Sequence, residues 1–95
     1  MRHNQAIMLN GVTMYSPETI LIAPESLIGQ DTIIQAGVQI SGQSTIGAGC
    51  LVETGVTLHN CQIGHNVVVG AKAVLHNCRV EDNTRIPPLT CQLEA

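Results

Sequence analysis

Ninety-five residues with 44% hydrophobic content but a single aromatic residue, Tyr15, make one small domain whose core is aliphatic. A net charge of −3, with Arg2, Lys72, Arg79 and Arg85 scattered along the chain, excludes the basic footprint of a nucleic-acid binder. The only early apolar run is Ala6-Ile7-Met8-Leu9, so neither a secretory signal nor a membrane span is read here, and the cytoplasm is the expected compartment.

Taken in order, residues 1–10 alone have helical potential, stopped at Asn10-Gly11, and residues 1–21 are expected to form a short helical or irregular N-terminal cap and lead-in. From Ile22 an aliphatic residue then falls at every sixth position: Ile22, Ile28, Ile34, Ile40, Ile46, Val52, Leu58. On an α-helix a step of six is about 600°, which scatters successive members over three faces, so a helix is excluded. One long strand is excluded too, because a turn-forming residue interrupts each hexad. What remains is a short strand and a corner per hexad, with three hexads closing a triangular coil whose aliphatic residues point inward. Three residues after the anchors stand Asp31, Gly37, Gln43, Gly49, Gly55, Asn66, Lys72 and Asn83, mostly types that tolerate the left-handed backbone of a tight corner. Four after them come Thr32, Val38, Ser44, Cys50, Val56, Val67, Ala73 and Thr84, small enough to share a narrow interior.

Past Leu58 the anchors run Ile63, Val69, Leu75, Val80 and Ile86, with a five-residue step after Leu58 and another after Leu75. The fold expected for residues 22–91 is therefore an all-β parallel β-helix of about four triangular coils, followed by a tail at 92–95. Gly29, Gly47 and Gly64 each follow an anchor one coil apart and are expected to stack where backbones approach closely. Pro87-Pro88 removes two backbone donors and blunts the last coil against strand addition.

The pattern is that of hexapeptide-repeat proteins, and that resemblance, not the spacing, implies left-handed coiling. The Asn10-Gly11-Val12-Thr13 run with Pro17 and Thr19, the Ile28-Gly29-Gln30-Asp31 and Ile63-Gly64-His65-Asn66 hexads, and the two shortened steps resemble the first coils of the acetyltransferase domain in bifunctional N-acetylglucosamine-1-phosphate uridyltransferase/glucosamine-1-phosphate acetyltransferases. The likeness covers about residues 8–90. It implies a transferase-like β-helix of nucleotide-sugar metabolism, associating as a homotrimer. The family's nucleotidyltransferase half has no counterpart here, and Leu93 stands where an arginine of the acetyltransferase site would be expected. No family active-site residue transfers to this chain, so the expectation is a structural or assembly module without its own catalytic site and without a cofactor, with a separately encoded transferase as a further expected partner. The alternative is a minimal hexapeptide acyltransferase holding acetyl-CoA between subunits.

Under that alternative the candidate bases are His59, His65 and His76, since a poised imidazole suits deprotonation of an acceptor. The tripeptide His59-Asn60-Cys61 recurs as His76-Asn77-Cys78, one shortened coil later. Two imidazoles and two thiols are zinc-type ligands, but strand alternation sends His59 and His76 outward while Cys61 and Cys78 lie at or inside the corner. Asn60 and Asn77 are read as a corner ladder. A zinc carbonic anhydrase of similar fold uses a histidine pair five residues apart, whereas His59 and His65 are six apart. The four cysteines, Cys50, Cys61, Cys78 and Cys91, are read as reduced, with Cys91 the most exposed.

Overall fold

A computed structural model describes residues 11–92. The expected helical turn in residues 1–10 and most of the tail lie outside them. The described chain is a parallel β-solenoid with three sheets, each taking one strand from every turn. The first sheet stacks Thr13–Met14, Ile33–Ile34, Leu51–Val52, Val68–Val69 and Arg85–Ile86. Leu21–Ile22, Gln39–Ser41, Thr57–His59, Val74–His76 and Cys91–Gln92 make the second, and Leu27–Ile28, Thr45–Ile46, Gln62–Ile63 and Arg79–Val80 the third.

There are about five turns where the hexads alone suggested four. Thr13–Met14 pairs with Ile33–Ile34 and so opens the stack ahead of the first anchor, while Cys91–Gln92 extends it beyond Ile86. The hexad count missed this first strand because the 3-10 segment Pro17–Thr19 separates it from Leu21–Ile22 and breaks the six-residue step. Thr19 ties that insertion to the solenoid, its hydroxyl accepting the N–H of Gly37 at 2.9 Å.

Ten of the twelve anchors are buried, and Ile28 and Ile86 are partly so. The exceptions sit in the outermost turns, where the described residues supply a covering coil on one side only. The small residues four places after the anchors fill the corners from inside, and two buried hydroxyls there are doubly satisfied. Thr32 Oγ1 donates to the Gly47 carbonyl at 2.8 Å and accepts the N–H of Cys50 at 3.4 Å. Ser44 Oγ donates to Ser41 at 2.9 Å and accepts the N–H of Cys61 at 3.2 Å. A buried hydroxyl so paired avoids the cost of about 1–3 kcal/mol that an orphan would carry.

The corners follow the expected three-residue offset with one correction. Asp31, Gly37, Gly49, Gly55, Asn66, Lys72 and Asn83 all have positive φ, but Gln43 does not: Gly42 turns the chain there instead. At that edge the turning residue sits two places after the anchor, as it does at Asn60 and Asn77. The two five-residue steps occur at the same edge, so the shortening is absorbed where the corner is already early. Parallel pairing then continues in register, Ile46 opposite Ile63 and Ile63 opposite Val80. The glycine stack is also as expected, since a Cβ on Gly47 would lie 2.6 Å from the Gly64 carbonyl oxygen, a backbone atom that cannot swing away.

Two substitutions test this packing. Leu58→Ala removes a fully buried anchor with a coil on either side and is expected to cost about 2–5 kcal/mol in chemical denaturation. Lys72→Gly, at an exposed corner with φ 59°, relieves a left-handed penalty of about 1 kcal/mol and is expected to raise the denaturation midpoint.

Candidate functional site

Residues immediately after the anchors turn outward, and on the second sheet they form a polar column. Ser41 lies opposite His59, and His59 opposite His76, in the parallel register. Ser41 Oγ is 2.8 Å from His59 Nδ1. The two imidazole centroids are 5.4 Å apart, their planes tilted by 48°. Both rings are half-buried.

The cysteines of the repeated tripeptide point the other way. Cys61 and Cys78 are buried, and their thiols donate to carbonyls inside the solenoid: Cys61 to Leu75 at 3.1 Å, Cys78 to His76 at 3.1 Å. The corner between separates each histidine from its cysteine, with Asn60 at φ 52° and Asn77 at φ 55°. Asn60 Oδ1 also accepts the N–H of Gln43 from the preceding coil at 2.9 Å. The four candidate metal ligands therefore form an outer histidine pair and an inner thiol pair, and do not converge. Among the described residues no group of three or more His, Cys, Asp or Glu side chains could hold a metal ion.

Burial pushes the Cys78 thiol above its ordinary pKa, with the neighbouring Cys61 adding to the effect. Burial likewise raises Cys50, against the backbone hydrogen bonds that favour its thiolate. Protonated buried thiols are poor nucleophiles and poor metal ligands.

His65, the third candidate, occupies a different corner and has a structural partner. The N–H of Ala48 donates to His65 Nδ1 at 2.8 Å, and the N–H of His65 donates in turn to Asp82 Oδ1 at 2.8 Å. In the neutral ring this places the proton on Nε2. Similar bonds recur along the solenoid: Glu53 Oε1 accepts the N–H of Ala71 at 3.0 Å and Gln35 Oε1 that of Thr54 at 3.2 Å. A corner leaves some N–H groups outside the strand ladder, and an acceptor side chain from an adjacent coil satisfies them. Sequence reading missed this use of His65 and Asp82. The signal was present as acceptor-bearing residues recurring one coil apart at the corners.

Two open clefts lie outside the column. One of about 600 Å³ runs over the third sheet beside Thr45, Gln62, Gly64, Arg79 and Asp82. The other, about 300 Å³, lies on the first sheet among Leu51, Glu53, Val68, Arg85 and Pro87. On that sheet half-buried Ile33, Leu51 and Val68 are stacked consecutively, a run of three outward aliphatics that neither other sheet has.

Residues 25–60 match the family model described as Bacterial transferase hexapeptide (six repeats). Bifunctional protein GlmU of Desulfotalea psychrophila is 42% identical over 87 residues, which cover 92% of this chain and 26% of that protein. Its counterpart in Geotalea uraniireducens is 39% identical over 88 residues, covering 93% and 19%. The chain thus spans about a quarter or less of these relatives. Among solved structures, the acetyltransferase domain of PglB from Neisseria gonorrhoeae FA1090, in complex with acetyl coenzyme A, aligns over 88% of this chain and 45% of that one, with a TM-score of 0.48 and 14% identity. No helix among the described residues is long and apolar enough to cross a membrane.

The inward and outward placement of the thiols predicts their reactivity. In native protein one thiol, Cys91, should titrate rapidly with a disulfide reagent, and Cys50, Cys61 and Cys78 only on unfolding. Rapid reaction of two or more thiols in the folded state would contradict the inner placement.

Proposed function

We propose that this hexapeptide-repeat β-helix, which resembles the acetyltransferase domain of bifunctional GlmU, is a transferase-related assembly module that associates three-fold with copies of itself and carries no catalytic site of its own. Its place is the cytoplasm and nucleotide-sugar metabolism, where a separately encoded transferase is a further partner. The observation that carries the reading is the row Ile33, Leu51 and Val68, three consecutive aliphatic side chains on the outside of one flat sheet. With strands about 4.8 Å apart they form one continuous apolar ridge, and covering it with a second copy adds burial that a thin core lacks. On the other two sheets the corresponding rows read Leu21, Gln39, Thr57, Val74, Cys91 and Leu27, Thr45, Gln62, Arg79, in which polar residues separate the exposed leucines from any other aliphatic, so neither has three in succession.

The environment of His65 supports the absence of catalysis there, since its Nδ1 lone pair is spent on the backbone N–H of Ala48. A second reading, a minimal acyltransferase that holds acetyl-CoA between subunits, is favoured by His76. Its ring makes no side-chain hydrogen bond to the described residues and could accept a proton.

Sedimentation equilibrium separates self-association from its absence: three times the chain mass of 10.1 kDa is expected, and Leu51→Glu should shift the protein to monomer. A monomeric parent would overturn the assembly reading. Thermal denaturation with acetyl-CoA separates the two functional readings. An unchanged midpoint at millimolar acetyl-CoA is expected, whereas a rise of several degrees that His76→Ala abolishes would establish the acyltransferase.

A further inference from the structure

We infer that His59 and His76 together form a surface site for a divalent transition ion of the zinc type, independent of any acyl transfer and of the oligomeric state. An imidazole nitrogen binds zinc at about 2.0–2.1 Å, which puts the ring centroid about 3.2 Å from the ion. Two rings on one tetrahedral ion therefore have centroids about 5.2 Å apart. The observed separation is 5.4 Å, with the planes tilted by 48° and not stacked face to face. The parallel register holds the two residues directly opposite one another, so the spacing is a property of the sheet and needs no loop to close.

Ser41 sets the chemistry of the first ligand. Its hydroxyl has one proton and two neighbours, the Leu58 carbonyl at 3.4 Å and His59 Nδ1 at 2.8 Å. When that proton goes to Leu58, the shorter contact is an Nδ1–H donating to Ser41 Oγ, and the Nε2 lone pair of His59 is left for a metal. This is the arrangement in which metal-bound histidines are commonly held, their second nitrogen fixed by an outer hydrogen bond. His76 makes no side-chain hydrogen bond to the described residues, so nothing among them competes for its ring. Water completes the coordination. The buried thiols take no part, since both face the interior and donate to carbonyls there.

The test is calorimetric titration of zinc chloride into the full chain, with Cys91→Ser in every arm so that the exposed thiol contributes nothing. One ion per chain is expected. His59→Ala and His76→Ala should each weaken binding at least about 10-fold, and Ser41→Ala about 10-fold through loss of the outer hydrogen bond. Cys61→Ser should leave it unchanged. Diethyl pyrocarbonate modification of the unsubstituted chain gives a second readout that no misfolded variant can confuse: zinc should protect His59 and His76 but not His65. Absence of zinc binding, binding of undiminished affinity in either histidine variant, or protection of His65 alone would overturn the inference.

Discussion

The rest of the molecule depends on the in-register stacking of each inward aliphatic on its counterpart one coil away. Leu58 has Ile40 on one side and Leu75 on the other, and the backbone ladder fixes that order: the N–H of Gln39 reaches the carbonyl of Val56, and the N–H of Thr57 that of Ala73. A prism this narrow has no room for a second layer of core. Each turn therefore buries one small residue at the corner beside each anchor, and only valine, alanine, cysteine, serine or threonine fits. The hydroxyls of Thr32 and Ser44 are admitted because each finds both an acceptor and a donor: for Thr32 both come from the next coil, and for Ser44 the acceptor is its own coil's Ser41 carbonyl and the donor the next coil's Cys61 N–H.

Stacking also governs what the outside can do. Any residue type placed after an anchor is repeated, coil by coil, as a column of side chains about 4.8 Å apart. Chemistry that depends on two adjacent groups arises when two consecutive coils carry the right residue, as Ser41, His59 and His76 do. The same column logic makes the glycines after Ile28, Ile46 and Ile63 a place where backbones nearly touch. At the corners it turns His65 and Asp82 into receptors for the preceding coil's amides. One histidine is thereby structural, and the other two face solvent as a pair.

Much of this was legible in the residues. The period of six located the anchors and most of the left-handed corners, and alternation from the anchors separated His59 and His76 from Cys61 and Cys78. What escaped was of two kinds. Thr13–Met14 has no anchor six residues before Ile22 to announce it, because the Pro17–Thr19 turn interrupts the period, so the first strand was uncounted. Gln43 was placed at a left-handed corner by its offset, while the actual turn falls on Gly42, where a missing Cβ leaves room for the Asn60 side chain of the next coil. The engagement of His65 is likewise a relation between coils that spacing along one chain does not display.

The claim on which all of this stands is that residues one coil apart share a single interior. Methyl-to-methyl nuclear Overhauser contacts in isotope-labelled protein measure it most directly. The account predicts contacts between Ile46 and Ile63, Ile40 and Leu58, and Leu58 and Leu75. Contacts confined to residues three or four apart along the chain, with none of these long-range pairs, would contradict it.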